Sequence, residues 1–254
     1  MTTSELKWMY AFENGDGRNK MLLGGKGANL CEMTRIGLNV PPGFVITTEA
    51  CLAYLDDSQR QLPEGAMDEV RAHMRALEQR TGKRFGGSDD PLLVSVRSGS
   101  AMSMPGMMDT ILNLGLNETT LAALIRRTGN ERFGYDAWRR FIQLFGKVAL
   151  GVPDTAFDEQ FEAVKTRVGV KQDVLLGPDD LRDVGERFLR VVQQHTGRPF
   201  PAGPYEQLEI AIKAVFNSWM GKRAIDYRRE FRITPAMANG TAVNVVAMVF
   251  GNMG

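Results

Sequence analysis

The chain has 254 residues, of which 43% are hydrophobic and 24% are charged, and its formal net charge is +1. This composition suits a globular protein of one large or two ordinary domains, and it excludes the strong basic excess of a general nucleic-acid or anionic-membrane binder. The first residues lack a basic segment followed by an apolar one, and no run of about eighteen apolar residues occurs. We therefore expect a cytoplasmic protein with neither nucleic-acid nor membrane partners.

The first part of the chain alternates short strand-like runs with helices. The apolar run at residues 21–25 leads into a helix, residues 44–46 form a short strand, and a threonine N-cap then starts a second helix. A third helix is predicted over residues 67–80. Residues 92–96 and 110–116 are predicted as strands, with a loop rich in Gly, Ser and Met between them.

From about residue 117 to residue 229 the pattern is almost wholly helical. Three apolar stripes at helical spacing are predicted to form core: Trp138, Phe141, Ile142, Phe145 and Val148; Leu181, Val184, Phe188 and Val191; and Tyr205, Leu208, Ile212, Val215 and Trp219. The last segment, residues 241–254, is an apolar strand that runs into glycines. We expect this strand to lack partners for its backbone groups.

Cysteine and histidine are too sparse and too scattered for a metal centre. Cys31 and Cys51 occur singly in apolar helical patterns, and we interpret them as reduced core residues. His73 and His195 lie in polar helical stretches without a ligand partner at suitable spacing. No zinc site is expected.

The stretch Leu-Leu-Gly-Gly-Lys-Gly at residues 22–27 is the first candidate for binding an anion. Glycines let backbone N–H groups approach an anion, a following helix adds positive partial charge, and Lys26 adds a full charge. The stretch matches neither the P-loop nor the dinucleotide fingerprint. A tight connection with a solvated lysine is the alternative interpretation.

Three further segments carry candidate side chains. Arg97 follows a strand and suits either a phosphate contact or a structural salt bridge. The loop at residues 103–110 suits either a nucleotide lining or a hydrophobic cover over the core. Asp109 is the acidic residue within these Gly-rich stretches, whereas Asp89 and Asp90 cannot be assigned to a metal site. Five basic residues form a cluster near the end that is interpreted as a solvated helical face: Lys222, Arg223, Arg228, Arg229 and Arg232.

Six stretches, in order, resemble the N-terminal part of the pyruvate, phosphate dikinases. They are LLGGKGANLCEM, VPPGFVITTEA, DPLLVSVRSGSAMSMPGMMDTILNLGLN, YDAWRRFIQLFG, AVFNSWMGKRAIDYRR and GTAVNVVAMVFGNMG. The resemblance covers essentially the whole chain. The Met-Pro-Gly-Met-Met-Asp-Thr stretch separates this family from the related phosphoenolpyruvate synthases and glucan dikinases.

The resemblance implies an α+β fold: the N-terminal part of an ATP-grasp-like nucleotide-binding domain with a largely helical insertion, ending before the second ATP-grasp subdomain is complete. The implied divisions are residues 1–116 as the N-terminal subdomain, 117–203 as the helical subdomain, 204–240 as a returning helix and 241–254 as the first strand of the second subdomain.

The resemblance also implies the roles of individual residues. Lys26 and Arg97 would contact the phosphates of ATP, as the residues with catalytic roles. The other nucleotide-binding residues would be Gly24, Gly25, Gly27, Gly106, Thr110, Met248 and Val249. Relatives usually carry glutamine where this chain has Val246, which would remove a polar contact to the nucleotide.

The implied reaction converts ATP, pyruvate and phosphate to AMP, phosphoenolpyruvate and diphosphate through a phosphohistidine on a separate domain. The implied cofactors are ATP and Mg²⁺, with the carboxylate ligands of the metal beyond residue 254 and none within the chain. The implied partners are the phosphohistidine domain and the pyruvate-binding domain of a homodimeric full-length enzyme. The isolated chain is expected to be inactive. The alternative is a degenerate, non-catalytic nucleotide-binding or interaction module whose last strand pairs with a partner.

Overall fold

The computed structural model describes residues 7–251. Within them the chain forms two compact units, one of residues 7–82, 94–110 and 212–249 and the other of residues 83–93, 111–211 and 250–251. Both helices and sheet are present, as expected of an α+β protein. The finer division at residues 116, 203 and 240 stays a prediction.

The helices are α1 (Lys20–Arg35), α2 (Thr48–Asp56), α3 (Ala66–Thr81), α4 (Glu118–Thr128), α5 (Glu131–Ala149), α6 (Asp154–Val168), α7 (Pro178–Thr196), α8 (Pro204–Ser218) and α9 (Lys222–Glu230), with a 3-10 turn at Asp173–Leu175. The strands are β1 (Met9–Ala11), β2 (Gly43–Ile46), β3 (Arg84–Phe85), β4 (Pro91–Leu92), β5 (Val94–Gly99), β6 (Thr110–Leu114) and β7 (Ala242–Ala247).

The first unit is built on an antiparallel sheet in which four strands follow the order β1, β2, β7, β5. The expectation that the last strand lacks partners was wrong. β7 lies between β2 and β5, and its Asn244 is opposite Val45 on one side and Arg97 on the other. The apolar run of β7 is explained by this central position, because both edges of a central strand are paired and its faces are buried.

Helix α1 packs against this sheet and begins earlier than predicted. Residues 21–25 are not a strand, because Lys20 already starts the helix and the Asn19 side chain accepts a hydrogen bond from Leu22 N. The helical geometry is interrupted at Gly24, where φ is 66° and ψ is 162°. The apolar residues before the glycines are therefore the first turn of a kinked helix.

The predicted elements that follow α1 are confirmed to within a few residues. β2 covers the predicted strand, and the Thr47 side chain accepts a hydrogen bond from Ala50 N at the start of α2. α3 ends at Gly82, which has the left-handed conformation common after a helix. The strand predicted at residues 92–96 is divided, since Leu92 belongs to β4 and β5 begins only at Val94.

The second unit is mainly helical, as predicted, and its core is rich in aromatic side chains. Trp138, Phe141, Phe145 and Phe200 contact one another with ring centroids 5.3 to 6.1 Å apart. The predicted stripes are buried except for Val148 and Tyr205, which are half-buried. Edge-to-face packing of this kind adds to the hydrophobic burial of the rings.

The cysteines are free and buried, which confirms the core interpretation. Burial raises the pKa of Cys31 to about 11 and that of Cys51 to about 12. His73 stacks on Phe44, and His195 contacts the carbonyl oxygen of Val191 through Nδ1. Among residues 7–251 no helix is both long and apolar enough to cross a membrane.

Candidate functional site

A cavity of about 640 Å³ lies in the first unit beside α1 and the end of β5. Its lining comes from three segments: Lys20, Gly25, Lys26, Asn29, Leu30 and Met33 of α1; Ser98, Gly99 and Ser100; and residues 101–106, 108 and 110. None of these lining residues, all within the described part of the chain, carries a carboxylate. The buried Oγ of Ser100 has no hydrogen-bond partner among the described residues. The cavity therefore suits an anionic ligand with hydrogen-bond donors or acceptors.

The kink in α1 brings the helix backbone against the end of β5. A Cβ atom on Gly24 would lie 1.8 Å from the carbonyl oxygen of Gly99, and Gly25 N donates to the carbonyl oxygen of Ser100 at 2.8 Å. Only glycine combines this close approach with a positive φ. After the kink the helix starts again at the cavity, where its N-terminal end favours negative charge.

Lys26 lies in the first turn after the kink, and its side chain is exposed at the cavity. Desolvation, followed by the positive charge of Arg97, lowers the pKa of Lys26. Lys20 adds a second ammonium group to the same lining. The site thus gathers like charges before any ligand is bound, and an anion between them would relieve their repulsion.

Arg97 lies in β5, half-buried, and its Nε donates to the Ser95 Oγ at 3.2 Å. No ion pair joins Arg97 to a carboxylate within residues 7–251. The alternative of a structural salt bridge at this strand end therefore has no support among those residues. Its guanidinium retains donors for an anion.

Asn244 stands behind the cavity in the centre of the sheet, and sequence reasoning missed it. Its side chain is fully buried, Nδ2 donates to the Arg97 carbonyl oxygen at 3.3 Å, and Oδ1 has no partner in the described residues. A Cβ on Gly27 would lie 2.9 Å from Oδ1, and one on Gly99 would lie 2.8 Å from Nδ2. Gly27 is thus a packing glycine against the sheet, since the Asn244 amide occupies the space a side chain would need.

We call residues 101–109 the methionine loop. Met104 is buried against Trp219 and Ala238, and Met107 and Met108 pack on the same cluster. Met104 and Met108 also line the cavity, together with residues 101–103, 105 and 106 and Thr110, and Gly106 has a φ of 72°. The interpretation as a hydrophobic cover is confirmed, because Met104, Met107 and Met108 pack on the apolar cluster. The loop also forms a wall of the cavity, and its role as a nucleotide lining stays a prediction.

The basic cluster near the end of the chain is only partly a solvated face. Lys222 and Arg229 are largely exposed, with ion pairs to Asp226. Arg228 instead stacks 3.9 Å from the centre of the Trp219 ring and donates to the carbonyl oxygen of Trp219 at 2.8 Å. Arg223 contacts the methionine loop.

The end of β7 lies outside the cavity lining, as do Gly24, Gly27 and Arg97. Neither Met248 nor Val249 lines the cavity, and Val249 is 72% exposed. Val246 packs with Phe12 and Leu23 in an apolar cluster. An apolar side chain at this position therefore fits its surroundings.

The described residues do not fit a magnesium site by themselves. No group of three or more His, Cys, Asp or Glu side chains within residues 7–251 is arranged to hold a metal ion. Asp109, next to the lining residue Thr110, pairs with Arg223. Mg²⁺ prefers carboxylate and other oxygen ligands, and this cavity offers hydroxyl and carbonyl oxygens beside lysines.

Several lining residues were not predicted: Lys20, Asn29, Met33, Ser98, Ser100 and Met102. A usable signal existed for two of them, because Asn29 and Met33 follow Lys26 at the spacing that places residues on one face of a helix. The others depend on the approach of β5 to α1, which local patterns do not encode.

Comparison with known proteins finds the same family by a family model and by individual relatives. The family model described as pyruvate phosphate dikinase, AMP/ATP-binding domain, matches residues 20–66 and 58–254. A pyruvate, phosphate dikinase of Entamoeba histolytica is 59% identical over 97% of this chain, and one of Clostridium symbiosum is 49% identical over 98%. A chloroplastic pyruvate, phosphate dikinase of Mesembryanthemum crystallinum is 48% identical over the whole chain.

This chain spans only 27 to 28% of the length of those three relatives. The similarity therefore corresponds to the N-terminal part of such proteins, and it includes every segment that lines the cavity. The chain belongs to the pyruvate phosphate dikinase AMP/ATP-binding domain family.

Proposed function

We propose that this chain is the ATP-binding portion of a pyruvate, phosphate dikinase and that ATP binds in the cavity beside α1. The carrying observation is a lining that combines Lys20, Lys26 and the restarted helix end with no carboxylate among the lining residues. A triphosphate would offset the like charges of Lys26 and Arg97, which otherwise repel each other. Family membership supports the same ligand.

In this proposal the predicted residues divide into four groups. Lys26 and Arg97 hold the phosphates and favour the negative charge that shifts during transfer. Gly25, Gly106 and Thr110 line the nucleotide, and Gly24 and Gly27 shape α1 so that it can approach β5. Met248 and Val249 complete the set as the adenine edge, a role carried over from the family resemblance.

The fold proposed for the complete enzyme is an ATP-grasp-like domain, and the reaction is transfer of a phosphoryl group from ATP to a histidine on a separate domain. We propose that the magnesium ligands, the phosphohistidine domain and the pyruvate-binding domain belong to the remaining length of the protein, which is a homodimer. The support is that the chain spans 28% of its relative from Entamoeba histolytica. A cytoplasmic location stays a prediction, because a similar plant protein is named chloroplastic.

The second candidate function is a non-catalytic nucleotide-binding or interaction module. Its main support was an unpaired last strand, and the pairing of β7 on both sides removes that support. Val246 does not favour it either, since this side chain packs in an apolar cluster.

Calorimetric titration of the chain with ATP, with and without Mg²⁺, tests the proposal. We expect weak saturable binding that Lys26→Met weakens further. We also expect excess ATP to protect the methionine loop from proteolysis. Incubation with ATP labelled at the β-phosphoryl group tests the proposed inactivity. We expect no label on the chain, and about one label per chain would contradict that part of the proposal.

A further inference from the structure

A side chain of α9 reaches the methionine loop at two points. Arg223 donates through Nη1 to the carbonyl oxygen of Gly106 at 3.3 Å and through Nη2 to Asp109 Oδ1 at 3.4 Å. All three residues belong to the first unit. One guanidinium thus joins the turn at Gly106 to the end of the loop.

The loop has a second, apolar attachment. Met104 is 5% exposed and packs against Trp219, whose ring and carbonyl oxygen are both held by Arg228. This contact fixes the base of the loop. Within the turn, Met107 N donates to the Met104 carbonyl oxygen at 3.2 Å, whereas a Cβ at the exposed Gly106 would meet nothing within 4 Å. Arg223 adds a side-chain contact from α9 to the Gly106 carbonyl oxygen, at the part of the turn that does not pack on the apolar cluster.

The contacts of Arg223 with the methionine loop are weak, so they can affect the position of the loop without contributing much to the stability of the fold. Its side chain is 67% exposed, the two donor–acceptor distances are long, and an exposed ion pair adds little to the stability of a protein. Removing the guanidinium should leave the fold intact. It should change the position of Ser103, Pro105, Gly106 and Met108, which together form one wall of the cavity.

Arg223 also acts on charge. Asp109 is directly followed by the lining residue Thr110, and a bare carboxylate there would oppose the approach of a triphosphate. The paired guanidinium compensates this charge. Geometry and electrostatics therefore point to the same consequence for an anionic ligand.

We propose that Arg223 is a positioning residue for the nucleotide: it fixes the turn of the methionine loop as a wall of the cavity and neutralises Asp109, and so raises the affinity for a nucleoside triphosphate. This proposal rests on the proposed function. Its experiment separates the two, because the order of the loop is measured without nucleotide and the affinity is measured with it.

The experiment compares Arg223→Ala with Arg229→Ala, a matched control on the same helix whose side chain is 79% exposed and lies 3.8 Å from Asp226. Hydrogen exchange of the nucleotide-free proteins should be faster in residues 101–109 of Arg223→Ala alone, by about threefold or more. The ATP dissociation constant should rise about three- to tenfold in the same variant. Urea unfolding should give the same free energy of unfolding for the two variants. A merely structural role of Arg223 would instead make Arg223→Ala less stable than Arg229→Ala.

Two further variants assign the effect to its cause. Arg223→Lys keeps a positive charge near Asp109 but loses the planar fork, so its affinity should fall between those of the wild type and Arg223→Ala. In an Asp109→Ala background, Arg223→Ala should weaken ATP binding less than in the wild type, because the compensated charge is gone.

Equal loop exchange in Arg223→Ala and Arg229→Ala would overturn the proposal. So would faster exchange with unchanged ATP affinity. A wild-type chain that bound no ATP would overturn the proposed function instead, and the exchange comparison would still decide whether Arg223 holds the loop.

Discussion

Lys26 on α1 lies near enough to Arg97 on β5 that the positive charge of Arg97, after the larger effect of desolvation, lowers the pKa of Lys26. Neither residue forms an ion pair within residues 7–251. This arrangement is unfavourable in the free protein, and it becomes favourable when an anion lies between the two groups. The pair therefore indicates a binding site rather than a device that stabilises the fold.

Replacement of Lys26 separates binding from stability. Lys26→Met should raise the ATP dissociation constant about ten- to hundredfold, because a charged donor to the phosphates is lost. The thermal midpoint should not fall, since the ammonium is desolvated and repelled in the free protein. Calorimetric titration and thermal unfolding measure the two quantities. Lys171→Met, at an exposed lysine of the second unit, is the control and should change neither.

The affinity for ATP should depend on pH through Lys26. Its pKa in the free protein lies below the ordinary value of 10.5, and a bound phosphate should raise this pKa again. Binding should therefore take up protons between the two values, and affinity should fall as pH rises through the lowered pKa. Titrations in buffers of different ionisation enthalpy measure this uptake.

The same shift has a consequence for stability. Between the lowered pKa and 10.5 the unfolded chain binds more protons at Lys26 than the folded chain, so the contribution of Lys26 to stability rises with pH. Lys26→Met should lose both pH dependences. A variant that kept the proton uptake would show that another group titrates on binding.

Gly24 should tolerate no side chain. Gly24→Ala places a Cβ 1.8 Å from the Gly99 carbonyl oxygen at a φ of 66°, so the backbone of α1 or β5 must move. We expect a loss of about 2 to 6 kcal/mol in the free energy of unfolding, measured with urea. Gly251→Ala is the control, because nothing lies within 4 Å of a Cβ there. Equal stability of the two variants would contradict the geometry of the kink.

The side chain of Gln207 should be needed for the stability of the second unit. This fully buried amide accepts from Gly115 N at 3.0 Å and donates to the carbonyl oxygens of Leu116 and Pro201, each at 2.9 Å. Gln207→Leu keeps the size but leaves three backbone groups without this partner, and should cost about 3 kcal/mol or more of unfolding free energy. The exposed Gln193→Leu should be nearly neutral in the same urea titration. A small loss in Gln207→Leu would mean that water replaces the amide.

The sequence predicted those residues of the candidate site whose type and local motif already indicate their chemistry. Lys26, Gly25, Gly106 and Thr110 were predicted and line one cavity. The other predicted site residues do not line it: Gly24, Gly27, Arg97, Met248 and Val249. Asn244 stands among apolar residues in the sequence, and this pattern does not reveal that its polar side chain is buried in the centre of the sheet. The roles of these residues stay predictions until the nucleotide is titrated.

The sequence by itself determined the helices and most of the strands, because apolar periodicity and helix caps depend on residues close together in the chain. It also determined the family, because six characteristic stretches occur in the same order as in the relatives. Only the tertiary structure decided that β7 is central, that α1 bends against β5, and that Arg223 reaches the methionine loop. The physical reason is distance along the chain. Asn244 meets Arg97 across 147 positions, and no local preference records which distant strand will supply the missing hydrogen bonds.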